Sequence, residues 1–317
     1  MKTPEQHLRE ISATYKNSLR SVETFLEGRR KDLPAWPRWC FLPMAAWYAM
    51  VTQEHGWNPT NPPLLIGAET AKLAALGTWR YTQGVYRFPA PLLEELAASA
   101  LTGDLPSETF LRLPEWCVYV ATPGMSWCGM SLAGFWALLE WDANTHRQEL
   151  RLLLHMGDSL VPVIVHLGAW TIEEGVNRMI AVAKGEAEKR DVKLRATTET
   201  AKVIATEVAP LLSLLLYLCS EEPEIENNKN PGSGPANAKR VKTKSGWRLF
   251  PAPGPKIFEV GKSIGKILEE ARTKNESARS IRAHVRRGHW HSYRVGLLRK
   301  HVIVKWLHPF IVRGGKT

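Results

Sequence analysis

Five histidines near the C-terminus are the first residues whose type and spacing suggest chemistry. They lie within 25 residues, at His284, His289, His291, His301 and His308. On a strand, the His-x-His pair at 289–291 would place both rings on one face, a geometry that can hold a metal ion. After residue 281 the chain has no carboxylate or thiol to complete a ligand set, and its arginines disfavour a bound cation. We therefore expect structural or surface histidines and no metal site.

Basic and aromatic residues alternate in the same tail, a pattern typical of polyanion binding. Arginine and lysine neutralise phosphates, while tryptophan and tyrosine rings stack on bases. The same residues would also suit an ordinary basic β-hairpin with its tryptophan in the core. The predicted contacts to nucleic acid or the ribosome are Arg286, Arg287, His289, Trp290, His291, Tyr293, Arg294 and Lys305.

No sequence motif predicts catalysis. The chain has neither a GxxxxGK[ST] phosphate-binding loop nor a GxSxG nucleophile elbow. Adjacent carboxylates such as Glu173 and Glu174 would point apart on a helix, so they make poor acid–base pairs. We expect a protein that is not an enzyme and that uses no cofactor or small-molecule substrate. A nuclease that uses the tail histidines as general acid and base stays open as an alternative.

Charge is distributed unevenly along the chain. Residues 227–317 contain 21 Lys and Arg against four Asp and Glu, a net charge of +17. Residues 1–226 contain 21 basic and 27 acidic residues, a net charge of −6. Such asymmetry indicates an anionic partner, most often nucleic acid, although a solvated basic tail would show it too.

Length and composition indicate a folded protein of the cytoplasm. The 317 residues are 44% hydrophobic and 23% charged, which is enough for a real core and excludes wholesale disorder. No apolar run reaches the roughly 18 residues of a membrane span, and the first residues lack a secretory apolar segment. The four cysteines are scattered, so we expect reduced thiols rather than disulfides or a zinc site.

The pattern of apolar residues predicts an α+β fold with a central antiparallel sheet flanked by helices. The helices are expected to lie on one side of the sheet. Strands are expected at 116–120, 134–141, 149–154 and 161–165, and two basic tail strands should form a β-hairpin around Gly296. A long N-terminal helix should begin at a Thr3 cap and end at Gly28. The other helices are expected at 45–53, 69–86, 90–100, 172–189, 198–219 and 257–271.

Composition divides the chain into three parts. Residues 1–225 should form the helical and antiparallel-sheet core, and 226–247 a flexible basic linker rich in Asn, Gly and Pro. Residues 248–317 should form a basic C-terminal helix and hairpin packed on the core. A sheet with an exposed edge and nearby tryptophans can also hold an extended peptide. The candidate peptide contacts are Trp116, Tyr119, Phe135 and Trp136.

Several short motifs together resemble the second family of type V-A anti-CRISPR proteins, the inhibitors of type V-A effector nuclease biogenesis. They are LPEWCVYV (113–120), GFWA (134–137), LLYLC (215–219) before EPEI (222–225), HVRRGHWHSY (284–293) and VKW (304–306). Between residues 141 and 198 we identify no motif of the family, and the Asn/Gly/Pro linker looks particular to this chain. The order and spacing of the motifs, rather than any single one, make the match specific.

The resemblance implies an inhibitor carried by a phage, plasmid or other mobile element. Such a protein recognises the nascent polypeptide of the type V-A effector nuclease, and the messenger RNA of the nuclease is lost in consequence. The sheet and its aromatic loops would then hold the peptide, and the basic tail would face the ribosome or messenger RNA. An RNA- or DNA-binding accessory or regulatory protein of a plasmid or phage is the alternative, with no membrane partner in either case.

Replacing Arg286, Arg287 and Arg294 together with Gln tests this division of labour. We expect transcript loss to disappear while peptide binding is retained, because the substitutions remove only phosphate contacts. Quantitative PCR of the nuclease transcript and calorimetry with the peptide measure the two properties separately. A triple variant that keeps both properties would contradict the assignment.

Overall fold

The computed structural model describes residues 1–55, 63–189, 195–221, 223–226, 238–244, 246–277, 283–286, 288–296, 301–307 and 310–313. Its helices are α1 (Pro4–Thr14), a 3₁₀ turn (Ser18–Ser21), α2 (Val22–Gly28), α3 (Met44–His55), α4 (Pro63–Trp79), α5 (Ala90–Ala97), α6 (Ser107–Phe110), α7 (Ile172–Glu188), α8 (Thr198–Cys219) and α9 (Lys262–Ser277). Its strands are β1 (Gly84–Arg87), β2 (Cys117–Ala121), β3 (Ser126–Trp127), β4 (Met130–Ser131), β5 (Gly134–Trp141), β6 (Gln148–Met156), β7 (Ser159–Leu167), β8 (Val241–Thr243), β9 (Gly246–Arg248), β10 (Lys256–Glu259), β11 (Ala283–Arg286), β12 (His289–Val295), β13 (His301–Leu307) and β14 (Phe310–Arg313).

A six-stranded sheet with the order β10-β1-β2-β5-β6-β7 forms the centre of the molecule. The predicted α+β class, with a central sheet flanked by helices, is confirmed. The sheet is mixed rather than antiparallel throughout, because β1 pairs in parallel with both β10 and β2. The chain between β1 and β2 contains α5 and α6, and parallel neighbours need such a long crossover.

Helices cover both faces of the sheet, not one face as the sequence analysis expected. Residues of β5 alternate between two cores: Phe135 and Ala137 pack with residues of α5, α7 and α8. Trp136 and Leu138 pack with residues of α1, α3 and α4 on the opposite face. A strand buried on both faces favours apolar residues on both, which explains the continuous apolar run from Phe135 to Leu139 in β5.

Helix α8 is the central helix of the first core. It packs on α5, α6 and α7, and twelve of its residues, from Ala201 to Cys219, are buried. By length and hydropathy alone it could also cross a membrane, but burial in the core accounts for its apolar surface. Its predicted bounds, 198–219, are confirmed.

The N-terminal helix is shorter than predicted. The capping box of Thr3 and Gln6 is present, but α1 ends at Thr14 and a 3₁₀ turn precedes α2. The hydroxyl of Tyr15 lies 2.8 Å from His55 Nε2, and Ser18 Oγ donates to Glu54 Oε2 at 2.7 Å. These tertiary contacts outweigh local helix propensity where the chain turns, while the apolar stripe continues into the core.

Two segments that the helical spacing predicts as helix are strands instead. Residues 84–86 belong to β1 and residues 257–259 to β10, and the two strands pair with each other. The rings of Tyr86 and Phe258 stack across the pair at 4.9 Å between centroids. Aromatic and β-branched residues favour a pleated surface once a partner strand is present, and one sequence cannot show that distant partner.

The predicted C-terminal hairpin is confirmed as β12 and β13, which pair from His289–Leu307 to Val295–His301. Trp290 Nε1 donates to Ser213 Oγ of α8 at 2.8 Å, and Trp306 Nε1 donates to Ser99 Oγ at 3.0 Å. Part of the predicted linker forms β8, which pairs with β9, while its residues 227–237 lie outside the described residues. The division into domains stays a prediction.

Substitution of Gly134 by Ala tests the tight packing of β5. A Cβ atom there would lie 2.4 Å from the Tyr119 hydroxyl oxygen and 2.6 Å from the Val120 carbonyl oxygen. We expect Gly134→Ala to lower the free energy of unfolding by about 1–3 kcal/mol, as overpacking does. The control Gly185→Ala in α7 meets no atom within 4 Å and should be neutral or stabilising by up to about 1 kcal/mol. Denaturant titration followed by circular dichroism measures both, and equal stability of the two variants would contradict the packing argument.

Candidate functional site

A cleft of about 480 Å³ opens where β5 leaves the sheet. One wall is the loop between α2 and α3, and the other is the turn that joins β5 to β6. Its walls are predominantly apolar, with a few charged groups at one end. The lining residues are Phe25, Leu33, Pro34, Trp36, Pro43, Met44, Ala45, Ala46, Glu140, Trp141, Asp142, Ala143, Asn144, Arg147, Glu149 and Arg151.

Two hydrogen bonds hold the α2–α3 loop in place, one donated by the Trp36 side chain and one accepted by the Trp36 backbone. Trp36 is 4% exposed, and its Nε1 donates to the Phe41 carbonyl oxygen at 3.2 Å. The guanidinium of Arg29 donates to the Trp36 carbonyl oxygen and lies over the Trp36 ring at 5.2 Å. Pro34 and Pro43 keep the loop out of regular structure, so the wall is ordered without being a helix or strand.

The opposite wall is a tight turn fixed by Asp142. Its Oδ1 accepts hydrogen bonds from the backbone N–H groups of Asn144 and Thr145 at 2.9 and 3.2 Å. The Trp141 ring stacks on His146 at 5.3 Å between centroids. This turn therefore presents Trp141 and Asp142 to the cleft in a fixed arrangement.

Charged groups form a network at the floor of the cleft. Glu149 accepts hydrogen bonds from Arg147 at 2.7 Å and Arg151 at 2.6 Å, and His166 Nε2 lies 3.4 Å from it. Burial disfavours the charged carboxylate, but Arg151, His166 and Arg147 outweigh burial and hold the pKa of Glu149 well below its usual range. Glu149 is therefore ionised and fully paired.

Glu140 lies directly opposite Glu149 in the β5–β6 register and has the opposite ionisation. It is 2% exposed, and burial raises its pKa to about 8 although Arg151 and the Met44 amide favour the charged form. Its Oε1 accepts a hydrogen bond from the Met44 N–H, and its Oε2 has no partner among the described residues. A neutral carboxyl group whose second oxygen is buried without a partner thus lies at the inner end of the cleft.

Three of the four predicted peptide contacts are buried in the cores. Tyr119 is 4% exposed, and Phe135 and Trp136 are fully buried. Trp136 contacts the rings of Tyr119 and Trp79 at 4.7 and 5.9 Å, and the Tyr119 hydroxyl lies 2.9 Å from His155 Nδ1. Their place in the core leaves them no surface for a partner. Trp116 is half-buried and lies outside the cleft, with its Nε1 donating to the Arg38 carbonyl oxygen at 3.1 Å.

The predicted nucleic-acid contacts of the hairpin differ in exposure. His291, Tyr293 and Lys305 are exposed together, and the rings of His291 and Tyr293 are 4.4 Å apart. His289 and Trp290 are half-buried, and Trp290 packs against the α8 core. The side chains of Arg286 and Arg294 are not among those the structure describes, and Arg287 lies outside the described residues.

The described part of the chain contains no group of three or more His, Cys, Asp or Glu side chains arranged to hold a metal ion. Of the clustered tail histidines, His308 and the side chains of His284 and His301 lie outside that part. Cys40, Cys117 and Cys219 are buried thiols and Cys128 is exposed, all unpaired by disulfides.

The residues of the cleft were not predicted from the sequence. The loop residue Trp36 lies more than 100 positions before Glu140 and Arg147 in the sequence. No local spacing therefore links the two walls of the cleft. One available signal was Glu140 itself, since a carboxyl group inside the apolar run 134–141 must be neutral or paired.

The arrangement of the sheet and helices is similar to that of a protein whose structure has been solved. A solved structure described as "Crystal structure of AcrVA2" aligns with a TM-score of 0.69 and 21% sequence identity, covering 96% of each chain. At this identity the likeness establishes the fold. None of the curated protein sequences matches the chain.

The family is established by sequence. The model of the AcrVA2-like family, described as the anti-CRISPR type V subtype A2 family, matches residues 86–314, and the chain belongs to this family. The predicted relationship to type V-A anti-CRISPR proteins is thereby confirmed, and the target is expected within a CRISPR system.

Substitution of Glu140 by Gln tests the neutral carboxyl group. Because the pKa of Glu140 is about 8 in the folded protein and about 4.3 in an unfolded chain, folding takes up a proton between these values. The contribution of Glu140 to the free energy of unfolding is complete below about pH 4 and is lost as the pH rises to about 8. We expect the stability of Glu140→Gln relative to the unmodified protein to rise by on the order of 3 kcal/mol between pH 5 and 8.5.

The matched control is Glu188→Gln, at an exposed position at the end of α7. Its stability difference from the unmodified protein should not change over the same pH range. Urea titrations at several pH values measure both variants. A Glu140→Gln difference that stays constant with pH would show that Glu140 is ionised in the cleft.

Proposed function

We propose that the protein is an anti-CRISPR inhibitor that binds an extended segment of the type V-A effector nuclease during its synthesis and lowers its messenger RNA and protein level. The effector polypeptide is the partner, and the inhibitor acts in the cytoplasm by binding rather than by catalysis. Its origin in a phage, plasmid or other mobile element is part of the same proposal.

The apolar cleft beside the β5–β6 turn is the observation that carries this proposal. Its volume of about 480 Å³ lies in the range of about 300–1,000 Å³ typical of ligand pockets. The Trp141 ring and the side chains of Leu33 and Pro34 offer apolar walls for side chains of a peptide.

Peptide binding gives the inhibitor a way to select one transcript. A nascent chain is attached through its ribosome to the messenger RNA that encodes it, so recognition of the peptide marks that RNA without reading its bases. The basic exposed face of the hairpin, with His291, Tyr293 and Lys305, is suited to face the ribosome or the RNA. Selectivity then rests on the cleft, and proximity to RNA rests on the basic surfaces.

The experiment uses cells that express a type V-A nuclease gene with and without this protein, beside a nuclease gene whose start codon is destroyed. We expect the protein to lower both the nuclease and its transcript only when the gene is translated. Western blotting and quantitative PCR measure the two levels together. Equal transcript loss from the untranslated gene would contradict peptide recognition.

The same experiment is repeated with the cleft filled. Ala143→Phe places a ring on the cleft wall, and Ala181→Phe places the same ring on the exposed surface of α7. We expect Ala143→Phe to abolish the effect on the nuclease and Ala181→Phe to retain it. A fully active Ala143→Phe variant would exclude the cleft as the peptide site.

A further inference from the structure

The hairpin formed by β8 and β9 is a basic and aromatic projection on the face opposite the α8 core. Between Glu226 and Glu259 the sequence has no acidic residue. Trp247 is 54% exposed and Phe250 is 53% exposed, which is unusual for large aromatic side chains. The exposed basic side chains around them are Lys239, Arg240, Lys242, Lys244 and Arg248.

The base of this hairpin is fixed to α2. Leu249 is 6% exposed and packs in the core that contains α1, α3 and α4. Its backbone N–H donates to Glu23 Oε1 at 2.8 Å. Thr243 Oγ1 closes the turn by donating to the Gly246 carbonyl oxygen at 2.8 Å. Trp247 faces Lys242 across the strand pair. The exposed rings and charges are therefore presented on a positioned element.

A pocket of about 320 Å³ lies at the foot of the hairpin and is lined by three arginines. Arg29 and Arg38 come from the α2–α3 loop, and Arg240 comes from the residues before β8. The other lining residues are Leu26, Cys40, Phe41, Trp116 and Leu249, so no carboxylate lines the pocket among the described residues.

The Arg29 guanidinium is repelled by the other two arginines of this pocket. Burial lowers the pKa of Arg29, and Arg30, Arg38 and Arg240 lower it further. Arg29 Nε is buried and has no hydrogen-bond partner among the described residues. Like charges gathered without a counter-charge raise the free energy of the isolated protein, and an anion between them would lower it.

We propose that the arginine pocket and the β8–β9 hairpin form a binding site for single-stranded nucleic acid. A backbone phosphate occupies the pocket between Arg29, Arg38 and Arg240. The neighbouring bases stack on Trp247 and Phe250, and the surrounding lysines neutralise further phosphates. The ligand class is defined by the pairing of concentrated positive charge with exposed flat rings.

An acidic polypeptide is the other class of anion that could meet the arginines. It would pair with the guanidinium groups, but it gives no reason for two large aromatic rings to be more than half exposed beside them. Bases supply that reason, because stacking on an exposed ring is a main contribution to single-strand binding. Duplex nucleic acid fits less well, since its bases are already stacked.

The test measures fluorescence anisotropy of labelled 12-nucleotide poly-U RNA, 12-nucleotide poly-dT DNA and poly-glutamate, each titrated with the purified full-length chain at several salt concentrations. We expect Arg38→Glu/Arg240→Glu to weaken RNA binding at least tenfold. The dependence of log affinity on log salt should also become shallower by about 1, since roughly 0.7 is expected per lost phosphate contact. Trp247→Ala should weaken binding about tenfold with an unchanged salt dependence, because stacking is lost rather than charge.

Arg9→Glu/Lys16→Glu is the matched control, with the same change of charge at two exposed positions near α1 that line neither pocket. It should keep most of the affinity, and thermal unfolding of all variants checks that they are folded. Stronger binding to RNA than to DNA would indicate a contact to the 2′-hydroxyl. Equal binding would indicate that only phosphates and bases are recognised. Either result supports the proposed site. Poly-glutamate binding as tight as RNA binding, or equal losses in the control and pocket variants, would overturn it.

Discussion

The structure depends on one constraint: strand β5 is buried on both faces of the central sheet. Seven of its eight residues, Gly134 to Glu140, are buried, and its side chains alternate between the two cores. Phe135 therefore needs the α8 layer, and Trp136 needs the layer of α1, α3 and α4. Each helical layer covers apolar surface that the other cannot reach, so loss of either would expose one side of the same strand.

The cleft arises where this constraint ends. The sheet is still covered at Glu140, but the chain must reach the β5–β6 turn one residue later. Glu140 and Glu149 face each other on neighbouring strands, and two ionised carboxylates there would repel. The arginines pair with Glu149 and keep it charged, while burial keeps Glu140 neutral. The two carboxyl groups avoid repulsion because only Glu149 is charged, and one oxygen of Glu140 is left buried without a partner.

Local patterns in the sequence predicted two kinds of element: those stabilised by contacts between neighbouring residues, and those whose side chains are almost all buried. The Thr3 capping box, the α8 run and the apolar run of β5 carry their own signal, and all three were located correctly. The parallel pairing of β1 with β10 joins segments about 170 residues apart, so neither segment alone distinguishes strand from helix. Aromatic residues were the weakest guide to the site. Trp136 and Trp247 look equivalent in the sequence, yet one is fully buried and the other is 54% exposed.

The α2–α3 loop is the shared wall of both pockets, and this limits how they can be separated by mutation. Pro34 and Trp36 line the cleft, while Arg38 and Phe41 line the arginine pocket a few residues later. Arg29 binds the Trp36 carbonyl oxygen and therefore supports both. A substitution of Arg29 or Trp36 that abolished peptide and RNA binding together would report on the loop, not on either site. Ala143 and Arg240 lie on the far walls of the two pockets, so only changes at such positions assign one binding activity to one pocket.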